Sequence, residues 1–135
     1  MITFEELIQD LKSTDPAIRD KAALDLMDIG DDRAMAPIID AIRVPENVNY
    51  RGTLVYALSD YDCIEHLEYL VELCLTSNFE VSSCSFNIIE GFELTKAIIK
   101  RIKSEMLKYN ENELRYEHSM DARNALSNFI STNRV

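Results

Sequence analysis

Four times along this chain, three apolar residues recur in the order i, i+1, i+4. They are Leu7, Ile8 and Leu11; Ile38, Ile39 and Ile42; Leu70, Val71 and Cys74; and Ile98, Ile99 and Ile102. Each triplet puts three side chains on one side of a helix, whereas a half-buried strand would alternate with a period of two. The triplets start 31, 32 and 28 residues apart. A step of that size is the length of one helical hairpin, so the pattern constrains the chain to repeated pairs of helices.

A second helix type lies between the triplets. Ile18, Ala22, Leu26 and Ile29 follow helical spacing; so do Tyr50, Leu54, Leu58 and Tyr61, and then Val81, Ser85, Ile89 and Phe92. Arg19 and Arg51 fill the same slot, just after the first apolar residue of the set. Local signals mark the ends. Thr3 with Glu6 fits a capping box that opens the first helix. Asp15 followed by Pro16 reads as an N-cap and a first-turn proline, and Gly30 as the matching stop. Leu114, Ala122, Ala125, Leu126 and Phe129 fit one long C-terminal helix. The expectation is an all-α fold of about eight helices, an α-solenoid of helical hairpins. As a single domain over residues 1–135 it has a cap helix at 3–13, repeats at 15–43, 47–76 and 79–109, and a second cap helix at 112–131.

Composition agrees with this and narrows the functions. Only 3 Gly and 3 Pro punctuate 135 residues, too few for a β fold with many tight turns. No apolar run approaches the ~20 residues of a membrane span, and the start of the chain lacks the pattern of a secretory signal. Cys63, Cys74 and Cys84 are odd in number and unpatterned, so a reduced, cytosolic protein is expected. The net charge of −10 disfavours nucleic acid and anionic membranes as partners. Charge is also polarised, with 19 acids against 6 bases over residues 1–95 and 5 against 8 over residues 96–135.

The stretch from Asp15 to Ile42 resembles a HEAT-like repeat of the kind found in phycobilisome lyases and many small bacterial proteins. The resemblance is carried by the Asp15 opening, Ile18 and Arg19, the small Ala22 and Ala23, Leu26, the turn Ile29, Gly30 and Asp31, then Arg33, Ala34 and an Ile-rich second helix. Residues 47–75 follow more loosely, with Asp62 where the turn glycine would stand. After residue 78 the pattern decays, and Ser82 replaces the base. Such a resemblance implies a fold and a binding habit, not lyase activity. In size, charge and repeat type the chain is also similar to some small immunity proteins of bacterial contact-dependent toxin systems.

The acids Asp28, Asp31 and Asp32 beside Gly30 invite a metal-site reading, but at a helix–turn–helix corner they fit capping better. Cys63 and His66 have no second pair of ligands at usable spacing, and Cys74 belongs to an apolar triplet. His66 and His118 lie far apart, and no nucleophile motif or phosphate loop accompanies them. No enzyme activity, metal or cofactor is expected. Lys96, Lys100, Arg101, Lys103 and Lys108 form one basic helix, expected to border an acidic patch or to pair with glutamates of the last helix.

Glu65, Glu68 and Glu72 follow i, i+3, i+7 along one helix, with Asp60 and Asp62 at its entrance and Tyr69 beside it. A charge stripe is usually a solvated face. In HEAT-type stacks, however, the second helices line the concave surface. The resemblance therefore implies an acidic concave patch of Asp60, Asp62, Glu65, Glu68, Tyr69, Glu72 and Asp40. The expected partner is a basic protein, most concretely a toxin domain such as a nuclease. The chain would then be a non-enzymatic immunity protein. A general HEAT scaffold or adaptor, and a lyase-like or chaperone-like component handling a prosthetic group, are the alternatives.

Overall fold

The computed structural model describes residues 2–110, 112, 114 and 116–132, the last without its side chain. Among these it contains α-helices and single 3-10 turns and no strand, so the fold is all-α. The eight α-helices are α1 (Phe4–Asp10), α2 (Pro16–Ile29), α3 (Met35–Arg43), α4 (Gly52–Ala57), α5 (Leu67–Thr76), α6 (Phe79–Glu90), α7 (Lys96–Met106) and α8 (Glu117–Thr132). They fall into two compact units, Met1–Asp62 and Cys63–Val135.

In the first unit, α1 packs on α2, and α4 packs on both α2 and α3. Thr3 caps α1 by accepting from the Glu6 amide at 3.1 Å, and its hydroxyl donates to the Glu6 carboxylate at 3.2 Å. Asp15 caps α2 through the Ala17 amide at 2.9 Å, with Pro16 in the first turn. Gly30 ends α2 in the left-handed conformation, φ 71° and ψ 21°, and returns its N–H to the Leu26 carbonyl at 3.0 Å. A residue with a Cβ is strained there, which is why glycine serves as the stop.

The buried face of α2 is Arg19, Ala22, Ala23 and Leu26. Ile18 and Ile29, expected in the core, are instead 44% and 54% exposed. Ala22 and Leu26 belong to both possible stripes. The small Ala22 and Ala23 together let neighbouring backbone approach closely, so the buried face centres on them and leaves Ile18 and Ile29 at its margins.

The expected helix from residue 47 also differs. Pro45–Asn47 form a 3-10 turn, and α4 begins only at Gly52, with Tyr50 55% exposed before it. Asn47 explains this: its buried side-chain amide donates to the Ala41 carbonyl at 2.8 Å. It thus gives the Ala41 carbonyl, which the Val44 N–H reaches only at 3.4 Å, a closer donor at the end of α3, and does not open the next helix.

In the second unit, α5 is central and packs on α6, α7 and α8, while α6 also packs on α8. Leu67, Leu70, Val71, Leu73, Cys74 and Leu75 are all buried on α5, an almost all-round apolar helix. Asn78 caps α6 and Thr95 caps α7, each accepting from an amide three residues on. Ser82, which stands in the slot of Arg19, is buried and donates to the Cys74 carbonyl at 2.6 Å. Of the fourth triplet, Ile102 is buried and Ile98 and Ile99 are half-buried.

The C-terminal helix starts later than its apolar spacing suggests. Leu114 lies outside α8, which begins at Glu117; residues 111, 113 and 115 of the expected span are outside the described residues. Leu126 and Ile130 carry the buried face of α8.

Candidate functional site

Of the acids around Gly30, Asp31 is occupied with holding the turn, while Asp28 and Asp32 are exposed. Asp31 caps the 3-10 turn Asp32–Ala34, its Oδ1 accepting from the Arg33 amide at 3.0 Å. The Arg33 guanidinium then grips the same carboxylate, with Nη2 donating to Oδ2 at 2.6 Å. Those hydrogen bonds hold the Asp31 carboxyl below its ordinary range and the Arg33 guanidinium above its own. Arg33 also lies over the Phe4 ring, 4.5 Å from its centroid, tying the turn to α1. Among the described residues no three His, Cys, Asp or Glu side chains are grouped as metal ligands would be.

Asp60 turns out to share this neighbourhood. Tyr61 is buried, and its hydroxyl donates to the Leu26 carbonyl at 2.9 Å. Burial pushes its phenol up, and the charges of Asp31, Asp32 and Asp60 push it further. The α2–α3 turn and the end of the 3-10 turn Leu58–Asp60 therefore present their acids around one phenol. Spacing along the chain gave no sign of this, because Tyr61 reaches the end of α2 through the packing of α2 on α4. Asp60 and Asp62 are exposed. Asp40 is exposed on α3, on the rim of a separate cleft walled by Ile8, Leu11 and Pro37.

The glutamate row belongs to the second unit, and its members do different things. Glu65 is exposed in the 3-10 turn Ile64–His66. Glu68, in the first turn of α5, is half-buried and clamped by Arg101 of α7. Arg101 further donates to the Ile64 carbonyl at 2.8 Å. The clamp holds the Glu68 carboxyl below its ordinary range, chiefly through the hydrogen bonds of Arg101. Glu72 lies 3.1 Å from the Tyr109 hydroxyl, which is equally close to the buried Glu105. Burial and the Glu72 charge push the Tyr109 phenol up. Tyr69 is half-buried beside them.

The basic helix α7 thus does border the acidic row, through Arg101. Lys108, just beyond it, pairs with Glu105 of α7 itself at 2.9 Å. Glu68 and Glu72 serve packing between α5 and the α7 region, and the sequence signal for that was the basic run itself.

The remaining candidates are structural in their contacts. Cys63 and Cys74 are buried, and burial pushes the Cys74 thiol up to about 12. His118 places Nε2 2.8 Å from the Ser77 carbonyl; a carbonyl only accepts, so that nitrogen carries a proton. The same ring stacks on Tyr116 and meets Phe79 edge-on. No helix among the described residues is long and apolar enough to cross a membrane. No protein-family model matches the chain, and no curated protein matches it.

Proposed function

We propose that the chain is a non-enzymatic module that binds a basic protein through exposed acids, most concretely an immunity protein that neutralises a toxin domain. The observation that carries this reading is the exposure of Asp40, Asp60, Asp62 and Glu65 on a chain of net charge −10. Asp40, Asp60 and Glu65 have no ion pair with a described residue. Uncompensated surface charge of one sign accelerates encounter with an oppositely charged partner and selects against others. What supports the repeat reading is the stacking of like helices within each unit. In the first, α2 packs on α4, and in the second, α5 packs on α7, so like helices of successive repeats lie side by side.

The mechanism is occlusion of the partner's positive surface, with carboxylates standing where nucleic-acid phosphates would bind. Glu68 and Glu72 take no leading part in it, since Arg101 and Tyr109 already engage them. The test is affinity capture from the native cell, followed by association kinetics with the captured protein. A basic partner whose association slows at least several-fold in Asp60→Lys and Glu65→Lys at low salt supports the reading. Unchanged association in both variants rejects these acids as binding residues. A gene beside that of a large secreted protein with a variable toxic C-terminal region marks an immunity protein; its absence favours an adaptor.

A further inference from the structure

Arg19 is only 2% exposed, yet no carboxylate of a described residue pairs with it. Its Nη1 donates to the Ser13 carbonyl at 2.7 Å. No other described residue accepts from it, and its Nε is buried without an acceptor. A guanidinium keeps its charge throughout the physiological range and carries five donors in a rigid fork. One neutral carbonyl uses one of those donors and none of the charge. Burying such a group unpaired is strongly unfavourable. Tying α1's exit to α2 explains a donor at this position, but Ser82 does the equivalent work in α6 with a hydroxyl and no charge.

Arg19 also lines a cleft of about 370 Å³ in the first unit, bounded by Leu11, Lys12, Pro16, Val44 and Tyr50. That volume lies within the roughly 300–1,000 Å³ of small-molecule sites. Lys12 is exposed at the cleft and has no ion pair with a described residue. Leu11, Pro16 and Val44 supply apolar wall, and Tyr50 an exposed ring. Asn47, fixed by its bond to Ala41, sets the loop that closes the other side.

The geometry points to this cleft as a binding site for a small monocarboxylate with an apolar body, its carboxylate held between Arg19 and Lys12. A planar carboxylate matches the guanidinium fork. A doubly charged phosphate fits less well, because Glu46 lines the same cleft and the first unit carries 13 acids against 6 bases. Neither Arg19 nor Lys12 is among the acids proposed above, so the two proposals can fail separately.

The full chain is titrated with benzoate, benzamide and inorganic phosphate, followed by calorimetry and by amide chemical shifts. Saturable benzoate binding is expected, with benzamide weaker by about tenfold or more and shifts centred on Lys12, Arg19, Asn47 and Tyr50. Lys12→Gln and Tyr50→Ala change exposed side chains and keep the fold; each weakens benzoate by roughly three- to tenfold. Arg19→Lys abolishes binding if it folds, and the two surface variants decide the matter if it does not. Absence of saturation, equal binding of benzamide, shifts elsewhere, phosphate binding tighter than benzoate, or indifference to both surface variants overturns the assignment.

Discussion

Arg101 holds Glu68 through two parallel hydrogen bonds, Nε to Oε2 at 2.7 Å and Nη2 to Oε1 at 2.6 Å, across 33 residues of chain. This bidentate clamp joins α7 to the first turn of α5, and a third bond reaches the Ile64 carbonyl. The side chains are 33% and 43% exposed, so solvent screens the pair and its worth is far from that of a buried one. Arg101→Gln should cost roughly 1 kcal/mol in urea unfolding. A pH effect accompanies it. Glu68 is held below its usual 4.5 by Arg101, so its contribution is present above that value and lost as pH falls through the lowered folded one. As pH falls from neutral through the usual glutamate range and below it, the variant should therefore lose less stability than the parent. Equal losses would show that the clamp does not operate in solution.

Tyr61→Phe tests how α2 is finished. The Leu26 carbonyl accepts both the Gly30 N–H and the Tyr61 hydroxyl. Removing the hydroxyl leaves the carbonyl still paired, so the cost stays near 0.5–1 kcal/mol and not the larger penalty of an orphaned group. The urea midpoint should fall with the slope unchanged.

Gly30 isolates a backbone effect. Its φ of 71° is the one positive value among the described residues, and a Cβ built there meets nothing within 4 Å. The cost of Gly30→Ala is then conformational alone, about 1 kcal/mol. Gly30→Asn should cost less, because asparagine enters the left-handed region more readily. Thermal unfolding of the three proteins gives the order Gly, Asn, Ala; an asparagine variant no better than alanine would contradict it.

Local signals made these features readable in advance. Thr3, Asp15, Pro16 and Gly30 act within one helical turn, so their roles follow from adjacent residues. The triplets located α1, α3, α5 and α7 because each fixes a face by itself. What escaped reading depends on partners distant in sequence. Nothing near Ile18 shows that Ala22 and Ala23 recentre the buried face of α2. Nothing near Asn47 shows that its amide is spent on Ala41. The acidic row was visible as Glu65, Glu68 and Glu72, but its division into one exposed acid and two engaged ones depends on Arg101 and Tyr109, more than 30 residues away.

The three thiols should separate by accessibility. Cys63 and Cys74 are buried, with burial pushing the Cys74 thiol up to about 12, while Cys84 is half-buried and raised by burial and then by Glu80. Only the thiolate attacks the disulfide of an aromatic reagent at about pH 8, releasing the aromatic thiolate. Cys84 should react first, more slowly than free cysteine, and the other two only on unfolding. Rapid labelling of all three in the native chain would contradict the burial of Cys63 and Cys74.

Glu65 and Glu68 separate surface charge from structure within one row. Glu65 is exposed and unengaged by described residues, so Glu65→Lys should change stability by no more than about 0.5 kcal/mol. Glu68→Lys removes the clamp and sets an ammonium against the Arg101 guanidinium. It loses the attraction and adds a repulsion of similar size, which together make roughly 2 kcal/mol. Arg101→Glu placed on top of Glu68→Lys restores opposite charges and should recover part of the loss, although lysine cannot reproduce the fork. A double variant as unstable as the sum of the singles would mean that the pair is not coupled. The comparison has a direct use in mapping a partner. Any loss of binding in Glu68→Lys is confounded by its stability, whereas a loss in Glu65→Lys reports on the surface itself.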